Sequence, residues 1–307
     1  RSTPKPSSAA SDVYKRQALA QAAETRTSLM NFWNMPAKAF KIVVIQTSGD
    51  SIQDRPLRLV GGKGLFVREI EDRLLDGSID LAVHSMKDMP TVQPDGLLLD
   101  TYLPREDVRD AFISNTVNTI TGLPKGCRVG TSSLRRRAQL LHIRPDLEVV
   151  ELRGNVQTRL KKLADGVANC TFLAMAGLNR LDISNIVKTA IEPSSMLPAV
   201  AQGAIGIERR ASDKVSAKFL EPIHHLETGQ RLTAERAFLK ELDGSCETPI
   251  AGLAVLNGTK LFLRGEVLRP DGTEKLAGER RGSVTDATEM GQDLARDLHS
   301  QAGPEFF

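Results

Sequence analysis

The sequence predicts an α/β protein closed by a small α+β unit. Three observations carry that prediction. Short apolar runs, such as 42–45 and 79–83, alternate with stretches whose apolar residues recur at helical spacing. Polar, chemistry-bearing segments follow several of these runs, where open α/β sheets bind their ligands. The C-terminal part changes pattern: 251–256 and 260–264 flank the hairpin turn Asn257-Gly258, and a helix with Ala287, Met290, Leu294 and Leu298 on one face closes the chain.

A chain of 307 residues suggests two or three domains. It is 40% hydrophobic and 26% charged, as soluble proteins are, and with aromatics at only 4% its cores must be aliphatic. Lysine and arginine total 41 against 38 acids. That balance argues against a nucleic-acid or membrane-surface partner and requires any anion site to come from local clustering. The cysteines are Cys127, Cys170 and Cys246, without a Cys-x-x-Cys pair, which fits a reducing compartment. Cys127 and Cys170 read as small buried hydrophobes. No histidine spacing suggests zinc, and His224-His225 reads as helix-flanking surface. No apolar run approaches the roughly 18 residues of a membrane span.

Residues 1–17 are polar and are expected to form a leader outside the fold. The continuous apolar run 42–45 suits a strand buried on both faces. Gly61-Gly62-Lys63-Gly64 reads as a turn opening a helix with Phe66, Val67, Ile70 and Leu74 on one face, ending near Gly77. It does not match the phosphate-loop pattern. Alternation in 79–83 predicts a half-buried strand with Ile79, Leu81 and Val83 on one face. Lys87 and Asp88 then fall at a strand's C-terminal end, and Pro90 closes the segment. A plain surface Lys–Asp pair is the competing reading.

After a strand at 97–103 and a linker at 104–107, a second α/β block is expected. Its strands fall at 110–113, 128–130, 147–152 and 171–175, its helices at 132–143 and 155–165. Thr131 or Ser132 is placed to cap the first helix. Its start, with Ser133, Arg135 and Arg136, makes a carboxylate site, since unpaired N–H groups and planar guanidinium forks both favour carboxylates. Successive helical residues turn by about 100°, so Arg137 is read as solvent-facing. Arg153 follows a strand, Asn155 is read as a helix cap, and Arg159 lies one turn on. Ala176 to Arg180 repeats the strand-end theme. A helix at 228–242 leads to the loop Asp243-Gly244-Ser245-Cys246.

Six segments taken together resemble the porphobilinogen deaminase (hydroxymethylbilane synthase) family. They are Gly61-Gly62-Lys63-Gly64-Leu65-Phe66, His84-Ser85-Met86-Lys87-Asp88-Met89-Pro90, Gly130-Thr131-Ser132-Ser133-Leu134-Arg135-Arg136, Arg153-Gly154-Asn155, Gln202-Gly203-Ala204 and Ala234-Glu235-Arg236-Ala237-Phe238. The resemblance implies two hinged, periplasmic-binding-protein-like lobes plus a small C-terminal α+β domain. Lobe 1 would be discontinuous, 18–104 with 204–223, lobe 2 would span 105–203 with the hinge segments, and the cofactor-bearing domain 224–307.

The activity implied is a transferase of haem and tetrapyrrole biosynthesis. It condenses four porphobilinogen molecules head to tail, with loss of ammonia, and releases linear hydroxymethylbilane by hydrolysis. The resemblance assigns Asp88 the catalytic role, stabilising the cation left when the amine departs. It assigns Cys246 a covalent dipyrromethane cofactor held by a thioether, with Lys87, Ser133, Arg135 and Arg136 binding that cofactor. Lys63, Phe66, Arg153, Arg159, Arg180 and Gln202 would bind substrate. No metal, nucleic acid or membrane is expected, and a cytoplasmic monomer is. Two departures stand out. Of the family's N-terminal Gly-Thr-Arg-x-Ser-x-Leu-Ala pattern only Ala18-Leu19-Ala20-Gln21-Ala22 remains, so 1–17 is read as non-native or disordered. Ala201 stands where the family has glycine, and would be strained if that position needs a positive φ. The rival reading, a non-enzymatic two-lobed anion-binding protein, would need neither Cys246 nor Asp88.

Overall fold

The computed structural model describes residues 6–9, 15–45, 67–183, 186, 188–244, 248–303 and 306. The chain folds as two compact units, one of 1–106 with 204–229, the other of 107–203 with 230–307.

The first unit is built on five strands: β1 (Pro6–Ala9), β2 (Val43–Ile45), β3 (Leu81–Ser85), β4 (Leu97–Tyr102) and β10 (Ile205–Arg210), in the order β2-β1-β3-β10-β4. β2, β1 and β3 are parallel, and β10 runs antiparallel to both β3 and β4. Helices α1 (Lys15–Trp33) and α2 (Arg68–Leu75) serve opposite faces. Leu81, Val83, Ile205 and Ile207 join Leu29, Phe40 and Leu220 on one side, and Ala82 joins Ile70, Leu74 and Leu97 on the other. β3 is therefore buried on both faces, and Ile79, expected beside Leu81, precedes the strand and packs with Ala82 instead.

Of the leader expected over 1–17, residues 1–5 and 10–14 lie outside the described residues, and the described ones take part in the fold. Residues 6–9 form β1 between β2 and β3, and Lys15 opens α1. Two strands offering unpaired main-chain groups can accept a third through its backbone, whatever its side chains. Periodicity therefore gave no warning.

The second unit repeats the layout. β5 (Asp110–Ser114), β6 (Arg128–Gly130), β7 (Glu148–Val150), β8 (Cys170–Ala174) and β9 (Lys188–Ile191) take the order β7-β6-β8-β5-β9. Again three strands are parallel, and the fourth runs antiparallel to its neighbours on both sides. Helices α3 (Leu134–Ile143), α4 (Val156–Ala164) and α5 (Met175–Arg180) follow β6, β7 and β8. In the first unit α6 (Lys214–Leu220) follows β10, and α7 (Leu226–Glu241) leads into the C-terminal part. There β11 (Ile250–Asn257), β12 (Lys260–Leu268) and β13 (Lys275–Ser283) form an antiparallel sheet. Helix α8 (Ala287–Gln301) covers it, burying Met290, Leu294 and Leu298.

Residues 230–307, expected with 224–229 as a separate domain, are tied to 107–203 by buried polar contacts. Gln139 Nε2 donates to Glu266 Oε2 at 3.1 Å, and Ala201 N donates to Glu235 Oε2 at 2.7 Å. Glu235 Oε1 accepts Ala254 N at 2.8 Å, so one buried carboxylate clamps two backbone segments. Ala201 is buried with φ +62°, the strained conformation foreseen for it.

Candidate active site

In the first unit β3 runs into one 3-10 turn, Met86–Asp88. Met86 is buried, and its N–H donates to Ala204 O at 3.0 Å. Its sulfur lies so close to Gly206 that any Cβ there would overlap Sδ. The turn is thus seated on the start of β10, leaving Lys87 half-buried and Asp88 exposed. Asp88 makes no hydrogen bond or ion pair with another described residue, so its carboxylate is available to a ligand. Beneath it, the buried His84 Nε2 lies 3.0 Å from Glu208 Oε2.

The second unit places a carboxylate at the matching point of its sheet. Asp110 opens β5 beside Ala174, the last residue of β8, and is fully buried. Arg136 donates to its Oδ1 from Nη2 at 2.7 Å and from Nε at 3.2 Å, and Arg135 Nη2 lies 2.8 Å from Oδ2. Gln202 Nε2 donates to Oδ1 at 3.0 Å and to Val108 O at 2.8 Å. Burial, the largest single influence, pushes the Asp110 carboxyl upward. Arg135, Arg136 and the hydrogen bonds together outweigh it and hold the group well below the usual carboxylate range.

The expected carboxylate site at the start of α3 is therefore occupied from within. Arg135 and Arg136 are buried on Asp110, with further bonds to Leu197 O and Phe172 O. Arg137 is exposed, as expected, and lines a cavity of about 110 Å³ with Ser132, Ser133 and Glu151. The cap is Ser133, accepting from Arg136 N, rather than Thr131 or Ser132. The Ser132 hydroxyl donates to Leu152 O and Thr131 Oγ1 accepts Ser133 N, so both are spent elsewhere. Asn155 caps α4 as expected, accepting Thr158 N at 2.6 Å.

The remaining candidates bond to other partners. Arg153 Nε donates to Glu151 Oε1 at 2.7 Å, Arg159 Nε to Gly154 O at 2.8 Å, and Arg180 Nη2 to Gly203 O at 3.0 Å; all three are half-buried. Lys63, Phe66 and Cys246 lie outside the described residues. Cys170 is buried, and burial first, then its neighbour Cys127, pushes its thiol up to about 12, which keeps it inert. His224 and His225 serve the entry to α7, His224 Nδ1 accepting Tyr102 N and His225 Nδ1 accepting Thr228 N. Sequence reasoning missed Asp110, Glu208 and Glu235. Glu208 was visible as the one acid ending the apolar run 204–207, whereas Asp110 and Glu235 each stand beside an arginine and read as ordinary surface charges.

Among the described residues no cluster of three His, Cys, Asp or Glu side chains could hold a metal ion, and no helix is long and apolar enough to cross a membrane.

Two α/β sheets of one design, each with charged groups at the carboxyl ends of its parallel strands, define the class: an α/β protein with charged side chains gathered at strand ends. The comparisons narrow the class to one family. The model of the porphobilinogen deaminase dipyromethane cofactor binding domain matches residues 15–218, and that of the porphobilinogen deaminase C-terminal domain matches 230–300. The porphobilinogen deaminase of Paracoccus denitrificans is 62% identical over 94% of this chain and 93% of its own length. That of Nitrobacter hamburgensis is 52% identical over 94% and 92%. The chain belongs to the porphobilinogen deaminase family. A solved extracellular-binding protein of Bacillus subtilis is 14% identical, covering 75% of this chain and 96% of its own, with a TM-score of 0.39, too loose a likeness to carry an argument.

Proposed function

We propose that the protein is a hydroxymethylbilane synthase. It condenses four porphobilinogen molecules with loss of ammonia and releases the linear tetrapyrrole by hydrolysis. The observation that carries this reading is the family match across both parts of the chain, together with 62% identity to a porphobilinogen deaminase. The rival anion-binding reading has no comparable support.

In this reading the exposed Asp88 carboxylate accepts the pyrrole N–H of the reacting ring and stabilises positive charge as the aminomethyl group loses its amine. The half-buried Lys87 supplies a cation for the carboxylates of the dipyrromethane group, and Arg153, Arg159, Arg180, Gln202, Lys63 and Phe66 serve substrate binding. The dipyrromethane group supplies the covalent primer on which the chain is extended. Two features of the second unit fit a carboxylate-bearing group: Arg135 Nε is buried with no hydrogen-bond partner, and Asp110 balances only one of two guanidinium charges. Cys246 would hold the group through its sulfur, with Ser133, Arg135 and Arg136 as polar partners. Working as a cytoplasmic monomer without nucleic acid completes the proposal.

The test is an intact mass. Protein made in a haem-producing cell, then denatured and reduced, should carry a covalent dipyrrole that maps to Cys246. A thioether survives thiol reductants, whereas a disulfide does not. Cys246→Ser should lack both adduct and activity. An active protein with the mass of the bare polypeptide would remove the cofactor assignment.

A further inference from the structure

Two ionisable side chains, His84 and Glu208, meet on the α2 face of the first sheet, and α2 buries a third, Glu71. Antiparallel register sets Gly206 opposite His84 and Glu208 opposite Ala82, so 82, 84, 206 and 208 share one face. Met86 continues the alternation, with its sulfur against Gly206. Helix α2 packs on this face and buries Ile70, Glu71 and Leu74. The surroundings are apolar, with Leu97 buried and Leu99 beside Gly206.

Two carboxylates and one imidazole are thus buried on this face. His84 Nε2 is 3.0 Å from Glu208 Oε2, with both side chains buried. The other Glu208 oxygen, Oε1, is buried without a hydrogen-bond donor, so the carboxylate depends on this one imidazole. Among the described residues the groups acting on Glu71 are Glu208 of β10, His84 of β3 and Asp72 of its own helix. Burial first, then Glu208, pushes the Glu71 carboxyl up to about 7, against a lowering by His84. Arg210, the other charge of β10 with this parity, is taken up by Leu74 O, Ile79 O, Asp80 and Asp213.

The position of these groups gives them a role. His84 stands immediately before Ser85 and the 3-10 turn. The segment entering β10 grips that turn at three points: Ala204 O on Met86 N, Gly206 against Met86 Sδ, and Glu208 on His84. The first two hold backbone and apolar packing; the third is a buried hydrogen bond between side chains. We propose that the buried His84–Glu208 bond fixes the turn bearing Lys87 and Asp88, which makes His84 and Glu208 positioning residues, and that Glu71 of α2 modulates it. For its kinetic consequence alone this rests on the function proposed above. With Glu71 neutral, the His84–Glu208 bond meets no competing charge from α2's buried carboxyl. When Glu71 ionises, a second carboxylate competes for His84 and the grip on the turn weakens.

The test uses the full chain and reads structure as well as turnover. In Glu208→Gln, hydrogen–deuterium exchange in a peptide spanning 84–90 should accelerate at least about tenfold, while peptides from 107–203 keep wild-type exchange. kcat should fall at least about tenfold with KM within about twofold, as expected when a reacting group is misplaced rather than removed. Wild-type exchange at 84–90 in a folded Glu208→Gln would overturn the proposal. Glu71→Gln keeps the neutral form permanently and guards against misfolding of the first variant. Wild-type protection of 84–90 should decline between about pH 6 and 8, and in Glu71→Gln it should not. A wild-type decline in Glu71→Gln would equally overturn the proposal. Because exchange is read without substrate, wild-type protein that fails to consume porphobilinogen would strike the proposed function and leave this result standing.

Discussion

The two sheets share one plan and solve the burial of a carboxylate in opposite ways. In the second unit Asp110 has two arginines and a glutamine for one charge, and its pKa is driven down despite full burial. In the first unit Glu71 and Glu208 have one histidine between them, and Glu71 is driven up to about 7. Burial is the leading influence in both cases and acts in the same direction in both. The sign of the outcome is set by the local count of partners. The difference extends to the point where the antiparallel strand begins: Asp110 there in one sheet, Ile205 in the other. The first unit keeps the carboxylate proposed to act in the reaction outside, as the exposed Asp88.

The sharpest way to break this comparison is to remove the satisfied acid. Asp110→Asn leaves two buried guanidinium groups without their counter-charge. Denaturant unfolding should show a loss of about 3–5 kcal/mol, the scale for a broken buried pair. A loss below about 1 kcal/mol would mean the arginines find water or another anion. Asp88→Asn should do the reverse, leaving unfolding unchanged while turnover of porphobilinogen falls by roughly a hundredfold or more. Near-normal product formation would remove Asp88 from the reaction.

A subtler experiment separates the two acids by pH. Folded Glu71 keeps its proton to about pH 7, against 4.5 as the ordinary value, so stability falls as pH rises through that window. Asp110 has a depressed folded pKa; its contribution is present above the ordinary carboxylate range and is lost as pH falls through the folded value. Glu71→Gln should therefore flatten the decline above pH 4.5, raising stability at neutral pH by on the order of 2 kcal/mol, while acid unfolding stays as in wild type. The smallest expected effect is at Ala201. Ala201→Gly relieves a left-handed conformation costing about 1–2 kcal/mol, of which glycine's greater unfolded-state freedom takes back about 0.4–1. A gain of about 0.5 kcal/mol should appear in the unfolding midpoint.

Much of this was legible in the sequence, and the exceptions have physical causes. Helical stripes and apolar runs located α2, α3, α4 and α8 and most strands, because burial on one face imposes a period. β1 was not legible, because its place rests on backbone pairing rather than on side-chain pattern. The motif Lys87-Asp88 was legible as a strand-end pair, and its seat on Met86 and Gly206 was not, since β10 lies far along the chain. Three consecutive hydroxyl residues, Thr131 to Ser133, leave the cap undecided until the helix axis is known. Arg135 and Arg136 were read as binders of a ligand's carboxylates, and in the fold both meet a carboxylate of the protein itself. The carboxylate they meet, Asp110, needed the fold to reveal it.

The interleaving of the two units also sets a timetable for synthesis. β5 to β9 emerge within residues 110–191, so the second sheet has all its strands soon after its first appears. The first sheet waits. β3 and β4 both pair with β10, which starts about a hundred residues after β4 ends. At roughly 5–20 residues per second a ribosome needs several seconds to deliver it. Through that interval β3 presents an unpaired edge, the feature that invites association with other chains. The nascent protein therefore completes its later sheet first and carries an open one behind it until Ile205–Arg210 arrives.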